Sequence, residues 1–252
     1  MNRSLFAASV LAVATALSSA ATAQAAELKG LAGGSMTISL NALVPQFERM
    51  TGNKVTFHFD STPNLIKAVT SAQPFDLGVV PVDVFKDAAA RAGFASGPTI
   101  DIARVGYGVA FRAGAPKPDI STPAALKAAL LKAQSIATIP DSAAGAYVLS
   151  VFAKLGIADA MKAKTKVQAT TGAIPQAVAK GDAELGVFLM NVLIAPGVEI
   201  AGPFPAELQQ ELLFTAAVAK DTKEAAAAKA YIDYLRSPEA IAVIKAKGLT
   251  PG

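Results

Sequence analysis

An alternation starting at Glu27 does most to limit how this chain folds. Short apolar stretches of strand length take turns with stretches whose apolar residues recur every three or four positions. Glu27 to Ala32 reads as a strand, and Leu40, Leu43, Val44, Phe47 and Met50 form one helical face ended by Thr51-Gly52-Asn53. Residues 54–60 alternate as a strand, and the sequence predicts helices over 62–72 and 82–91 around a strand at 76–80. Strands alternating with helices make βαβ units, so the expected class is α/β, with mostly parallel sheets covered by helices.

The pattern changes at Ile100–Arg112, a β-type run long enough to leave one sheet and enter another. A second series follows the proline-rich turn Ala115–Asp119: helix 122–132, strand 135–139, helix 143–155, strand 166–169, helix 174–180 and strand 185–190. A β-like segment at 211–219 and two helices, 223–236 and 238–247, close the chain. This order predicts two lobes, the first from residues 26–104 plus 211–252 and the second from 105–210, with two crossings that can serve as a hinge.

The first 25 residues read as a secretory signal: Arg3, an uncharged run from Leu5 to Leu17, then small residues ending in Ala23-Gln24-Ala25. The chain is therefore expected to be exported. The chain has no Cys and a single His, which leaves no disulfide scaffold, thiol nucleophile or zinc ligand set. The net charge of +4 is spread thinly, with no basic run of the kind nucleic acid requires. No metal, cofactor or catalytic constellation is expected, and the chain is expected to be a monomer.

Small polar residues do gather where strands pass into helices: Gly33-Gly34-Ser35, Asp60-Ser61-Thr62, Pro140 to Gly145 and Thr170-Thr171-Gly172. In parallel α/β sheets such junctions lie at the carboxyl ends of strands, where ligands bind. Helix N-termini bring unpaired N–H groups and about half a positive charge. Several meeting at one point hold an anion without Lys or Arg.

The stretches ELKGLAGGSMTISLNALVPQFERMTGNKVTFHFDST, GVAFRAGAPKPDISTPAALKAALLKAQSIA and AIPQAVAKGDAELGVFL resemble the periplasmic molybdate-binding proteins, type II solute-binding proteins of ABC importers. The likeness runs through the chain after its leader. It implies a two-lobe Venus-flytrap that binds a small oxyanion between its lobes and delivers it to an inner-membrane ABC permease. By the same resemblance, Ser35 and Ser61 are the first-lobe contacts, Ala144 supplies a main-chain amide with Ser142 beside it, and Thr171-Gly172 supplies another. Leu189 stands where the family often carries Tyr, with Asn191 close by as a further candidate, and Thr62-Pro63 follows the second Ser. These differences bring in a second expectation: an organic-acid (tricarboxylate) binder, or an enzyme similar to aconitate isomerase, with Arg104 and Arg112 as its candidate cations.

Overall fold

The computed structural model describes residues 25–71 and 73–252. The leader expected over residues 1–25 falls almost entirely outside them, as does Ala72. Among the described residues, no helix is long and apolar enough to cross a membrane.

The first lobe opens with β1 (Glu27–Gly33), α1 (Thr37–Thr51), β2 (Lys54–Asp60), α2 (Thr62–Thr70), β3 (Leu77–Pro81) and the short α3 (Ala88–Ala92). The long β4 (Ile100–Arg112) leads to α4 (Pro123–Lys132), β5 (Ile136–Thr138), α5 (Ala143–Lys154), α6 (Ala158–Lys164), β6 (Thr165–Val167) and α7 (Ala173–Lys180). Next come β7 (Leu185–Leu189), α8 (Met190–Leu193), β8 (Val198–Pro203), β9 (Glu211–Val218), α9 (Ala225–Tyr234), α10 (Pro238–Ala246) and β10 (Thr250–Pro251).

The strand order is β2-β1-β3-β9-β4-β7-β5-β6, with β8 and β10 also paired to β4. Each half has a parallel wing, β2-β1-β3 in one and β6-β5-β7 in the other. Antiparallel pairs with β4 and β9 join the wings through the middle. The length of β4 is what makes two lobes from one path. Its first half pairs with β9 as far as Gly106, and its second half pairs with β7 and β8 from Tyr107 and Gly108 onward. Where the partner changes, the Gln209 side chain does the work of a strand: Oε1 accepts from Tyr107 N–H at 2.8 Å and Nε2 donates to Tyr107 C=O at 2.9 Å. Buried main-chain groups must be paired, and this amide pairs them at the crossing.

The chain returns to the first lobe because α1 offers an apolar face that α9 covers. Leu40, Leu43 and Phe47 are buried on that face, and Phe47 meets Tyr231 edge-on at 4.9 Å between ring centres. The Tyr234 hydroxyl donates to Leu43 C=O.

The helix expected over 82–91 is instead a 3-10 turn, Val82–Lys86, followed by α3. Asp87 has extended backbone angles and its carboxylate accepts from Ala90 N–H, so a new helix starts there. Sequence periodicity also passed over α6 and β8. The first lacks a side-chain cap, and the second ends in Gly202-Pro203 and pairs with β4 through a bulge.

Candidate functional site

The carboxyl ends of β1 and β2 and the N-termini of α5 and α7 surround one cavity of about 510 Å³. Ser35, Ser61, Ser142, Ala144, Thr171 and Gly172 all line it. Among the described residues, no Lys, Arg or His belongs to its wall.

Each polar group arrives by a local route. After β1 the chain makes a 3-10 turn, Gly34–Met36, before α1. The Gly34 carbonyl accepts from Thr37 Oγ1 at 2.6 Å and, across the cleft, from Thr171 Oγ1 at 3.1 Å. These bonds use the carbonyls of the turn. The Ser35 hydroxyl, on a residue only 8% exposed, has no protein partner among the described residues. Ser61 is the N-cap of α2 yet makes no side-chain capping bond, and its hydroxyl has no protein partner among the described residues. Ser142 differs: its Oγ accepts from Gly145 N–H and donates to Ile139 C=O, both at 2.9 Å. Its side chain is therefore spent on the cap, and α5 offers the cavity the N–H groups of Ala143 and Ala144, which have no partner within the helix. At α7 no side chain caps the N-terminus; Ala173 and Ile174 N–H bond back to Thr170 and Thr171 C=O, and the N–H groups of Thr171 and Gly172 have no protein partner among the described residues.

Asn191 is placed differently from the expected ligand contact. It is buried behind the wall, and its Nδ2 donates to Ser35 C=O at 2.8 Å. Its role is to hold the Ser35 turn from the opposite lobe. Asn191→Ala leaves that carbonyl unpaired, at a cost of about 1–3 kcal/mol. A thermal melt should then show Tm lowered by roughly 2–12 °C.

Six side chains form an apolar wall that the junction motifs did not reveal: Phe59, Pro81, Ile139, Phe188, Leu189 and Leu212. Spacing cannot flag such residues, because they look like ordinary strand-end core. Asp60, read from sequence as a cap or turn residue, also lines the cavity. Its Oδ1 accepts from Ser61 N–H at 2.7 Å and from Asn64 Nδ2 at 2.9 Å. Arg104 pairs with Asp101 on the surface, and Arg112 lies beside Gly181, so neither of the cations expected for a tricarboxylate reaches the wall. His58 is well exposed on its strand, as expected. A larger groove of about 770 Å³ includes Lys54 and His58, but it runs along β1 and the edge strand β2, away from the helix N-termini.

Beside the site, the rings of Tyr107 and Tyr147 pack at a tilt of 41° with centres 4.6 Å apart, and the Tyr147 hydroxyl donates to Leu208 C=O. Burial raises both phenols above their usual pKa range, so they act as neutral packing that ties α5 to the crossing.

A two-lobe α/β frame around a cation-free cleft lined by helix N-termini defines a binding protein for small solutes. Residues 28–250 match the bacterial extracellular solute-binding protein family, and the chain belongs to it. It is 30% identical over 230 residues to an aconitate isomerase of a Pseudomonas species, covering 88% of this chain and 86% of that one. It is also 30% identical over 235 residues to a molybdate-binding protein of Azotobacter vinelandii, covering 91% and 92%. The solved periplasmic molybdate-binding protein of Azotobacter vinelandii superposes with a TM-score of 0.73 at 23% identity, over 88% of this chain and 98% of that one. The family resemblance read from the sequence is borne out.

Proposed function

We propose that this protein is the periplasmic solute-binding component of an ABC importer and captures a small oxyanion, of the molybdate type, between lobes 26–104 plus 211–252 and 105–210. One observation carries this reading: four strand-to-helix junctions meet at a single cavity whose wall has no cationic side chain. There the free amides of Ala143, Ala144, Thr171 and Gly172 and the hydroxyls of Ser35 and Ser61 are the donors, reinforced by helix dipoles. The bonds from Thr171 to Gly34 and from Asn191 to Ser35 cross between the lobes, as contacts of a closed state would.

Calorimetry and thermal shift with molybdate, tungstate, sulfate and citrate test the proposal. A saturable heat at one anion per chain is expected. At a ligand concentration of 100 Kd the gain is about 2.7 kcal/mol, or roughly 5–11 °C in Tm. No heat and no shift with any anion contradicts it.

The size of the cavity favours a second reading, an organic-acid binder or an isomerase. A water takes about 30 Å³, and an anion of one central atom and four oxygens is only a few times larger. A cavity of about 510 Å³ with an apolar wall suits a ligand with a carbon skeleton. The aconitate isomerase relative supports this reading. For proton transfer, Asp60 is the carboxylate at hand. Incubation with cis- and trans-aconitate separates the two: interconversion makes the protein an enzyme, and unchanged substrate leaves it a binder.

A further inference from the structure

We infer that Thr171 and Asn191 form a latch that draws the two lobes together without help from a bound anion, and that they act on binding as positioning residues, through the Gly34–Ser35 turn. The inference rests on the two-lobe reading above and deepens it.

Both residues belong to the second lobe and reach the same point of the first. Thr171 Oγ1 donates to Gly34 C=O at 3.1 Å, and Asn191 Nδ2 donates to Ser35 C=O at 2.8 Å. The acceptors are consecutive carbonyls of the turn that brings Ser35 to the cavity wall. Donor and acceptor are protein groups in each case, so neither bond needs a ligand to bridge it. A threonine hydroxyl has one hydrogen to give. While Thr171 gives it to Gly34, the side chain has none for an anion, and only the main chain of Thr171 serves the ligand. Asn191, in α8, also sits against the end of α10: a Cβ added to Gly248 would lie 3.5 Å from Asn191 Cα and 2.9 Å from Ile194 Cδ1. The missing side chain there lets the second lobe come close.

The latch is also built to release. Asn191 Oδ1 is buried and has no hydrogen-bond partner among the described residues, so part of what Nδ2 gains on closure is lost in desolvating Oδ1. Two neutral hydrogen bonds shift an open–closed equilibrium roughly five- to 150-fold, and the orphaned oxygen keeps the shift toward the lower end. An anion gripped from both sides then adds its own preference for the closed form.

Distances between spin labels test the latch. The chain has no Cys, so Lys67→Cys and Gln176→Cys place labels only on exposed positions of α2 and α7, one per lobe. Ligand-free protein should show a short and a long separation, the short one matching that under saturating molybdate or citrate. Thr171→Val removes the hydroxyl at nearly constant shape, and Gly34 C=O keeps its bond from Thr37, so no carbonyl is left unpaired. It should lower the ratio of short to long separations about two- to twelvefold, and Thr171→Ser should restore it. The valine variant should also release whichever anion binds faster by the same factor, while capturing it at least as fast as the parent. Ligand-free distances that are the same in the parent and Thr171→Val, or a parent with only the long separation, overturn the latch. Faster release with no change in the ligand-free distances makes Thr171 a direct ligand contact and overturns it too. If no anion binds, the anion-binding reading fails, while the ligand-free distances still decide the latch.

Discussion

Gly145→Ala should destabilise the protein by about 3 kcal/mol or more and remove the second-lobe wall of the cleft. A Cβ on Gly145 would lie 1.7 Å from the Ile139 carbonyl oxygen, 2.6 Å from Ile139 C and 2.8 Å from Pro140 Cα. All three are main-chain atoms that cannot turn aside as a flexible side chain does. The absence of a side chain lets α5 begin tight against the end of β5, with its free amides in the cavity. Pushing that helix away also breaks the bonds from Ser142 to Gly145 and Ile139. In a chain of this size the loss should lower Tm by roughly 6–12 °C, and calorimetry should find anion binding abolished. Gly172→Ala is the matched control. Gly172 has ordinary helical angles, and its added Cβ meets nothing within 4 Å. It should fold as well as the parent, with a gain of up to about 1 kcal/mol from the stiffer unfolded chain. Equal melting of the two variants would refute the close approach at α5.

The double variant Ser35→Ala, Ser61→Ala should bind anions roughly a hundredfold to ten-thousandfold more weakly, because each hydroxyl bonded to a charged group contributes about 1.5–3 kcal/mol. Its stability should hardly change. Neither hydroxyl is paired with another protein group among the described residues, so removal orphans none of them. Ser142→Ala should behave in the opposite way, costing about 1 kcal/mol through the lost cap while acting on binding only through the helix start. Calorimetry paired with thermal melts separates the two behaviours. Retained affinity in the double variant would remove the hydroxyls from the site.

Much of this architecture was legible because burial leaves a periodic trace. The faces of α1 and α7, the long β4 and the Ser, Thr and Gly at strand ends are visible in the sequence as spacing or as helix-start chemistry. The junctions could be found because polar residues that begin helices have a physical reason to be there. Asn191 was harder. Its amide serves a carbonyl 156 residues away, and spacing carries no record of such a contact. Asp60 looked like a capping residue and does bond the first residues around α2. The apolar wall and the Gln209 bridge at the crossing depend likewise on residues far apart in the chain.

The central claim, that main-chain amides at the helix starts of the cleft hold an anion, is tested most directly by amide chemical shifts. The ¹⁵N-labelled protein is titrated with citrate and, separately, with molybdate. The account predicts that whichever anion binds moves the amides of Ala143, Ala144, Thr171 and Gly172 most, in step with saturation. If the largest shifts fall instead along the groove beside Lys54 and His58, with those four amides unmoved, the anion is held elsewhere and the account is wrong.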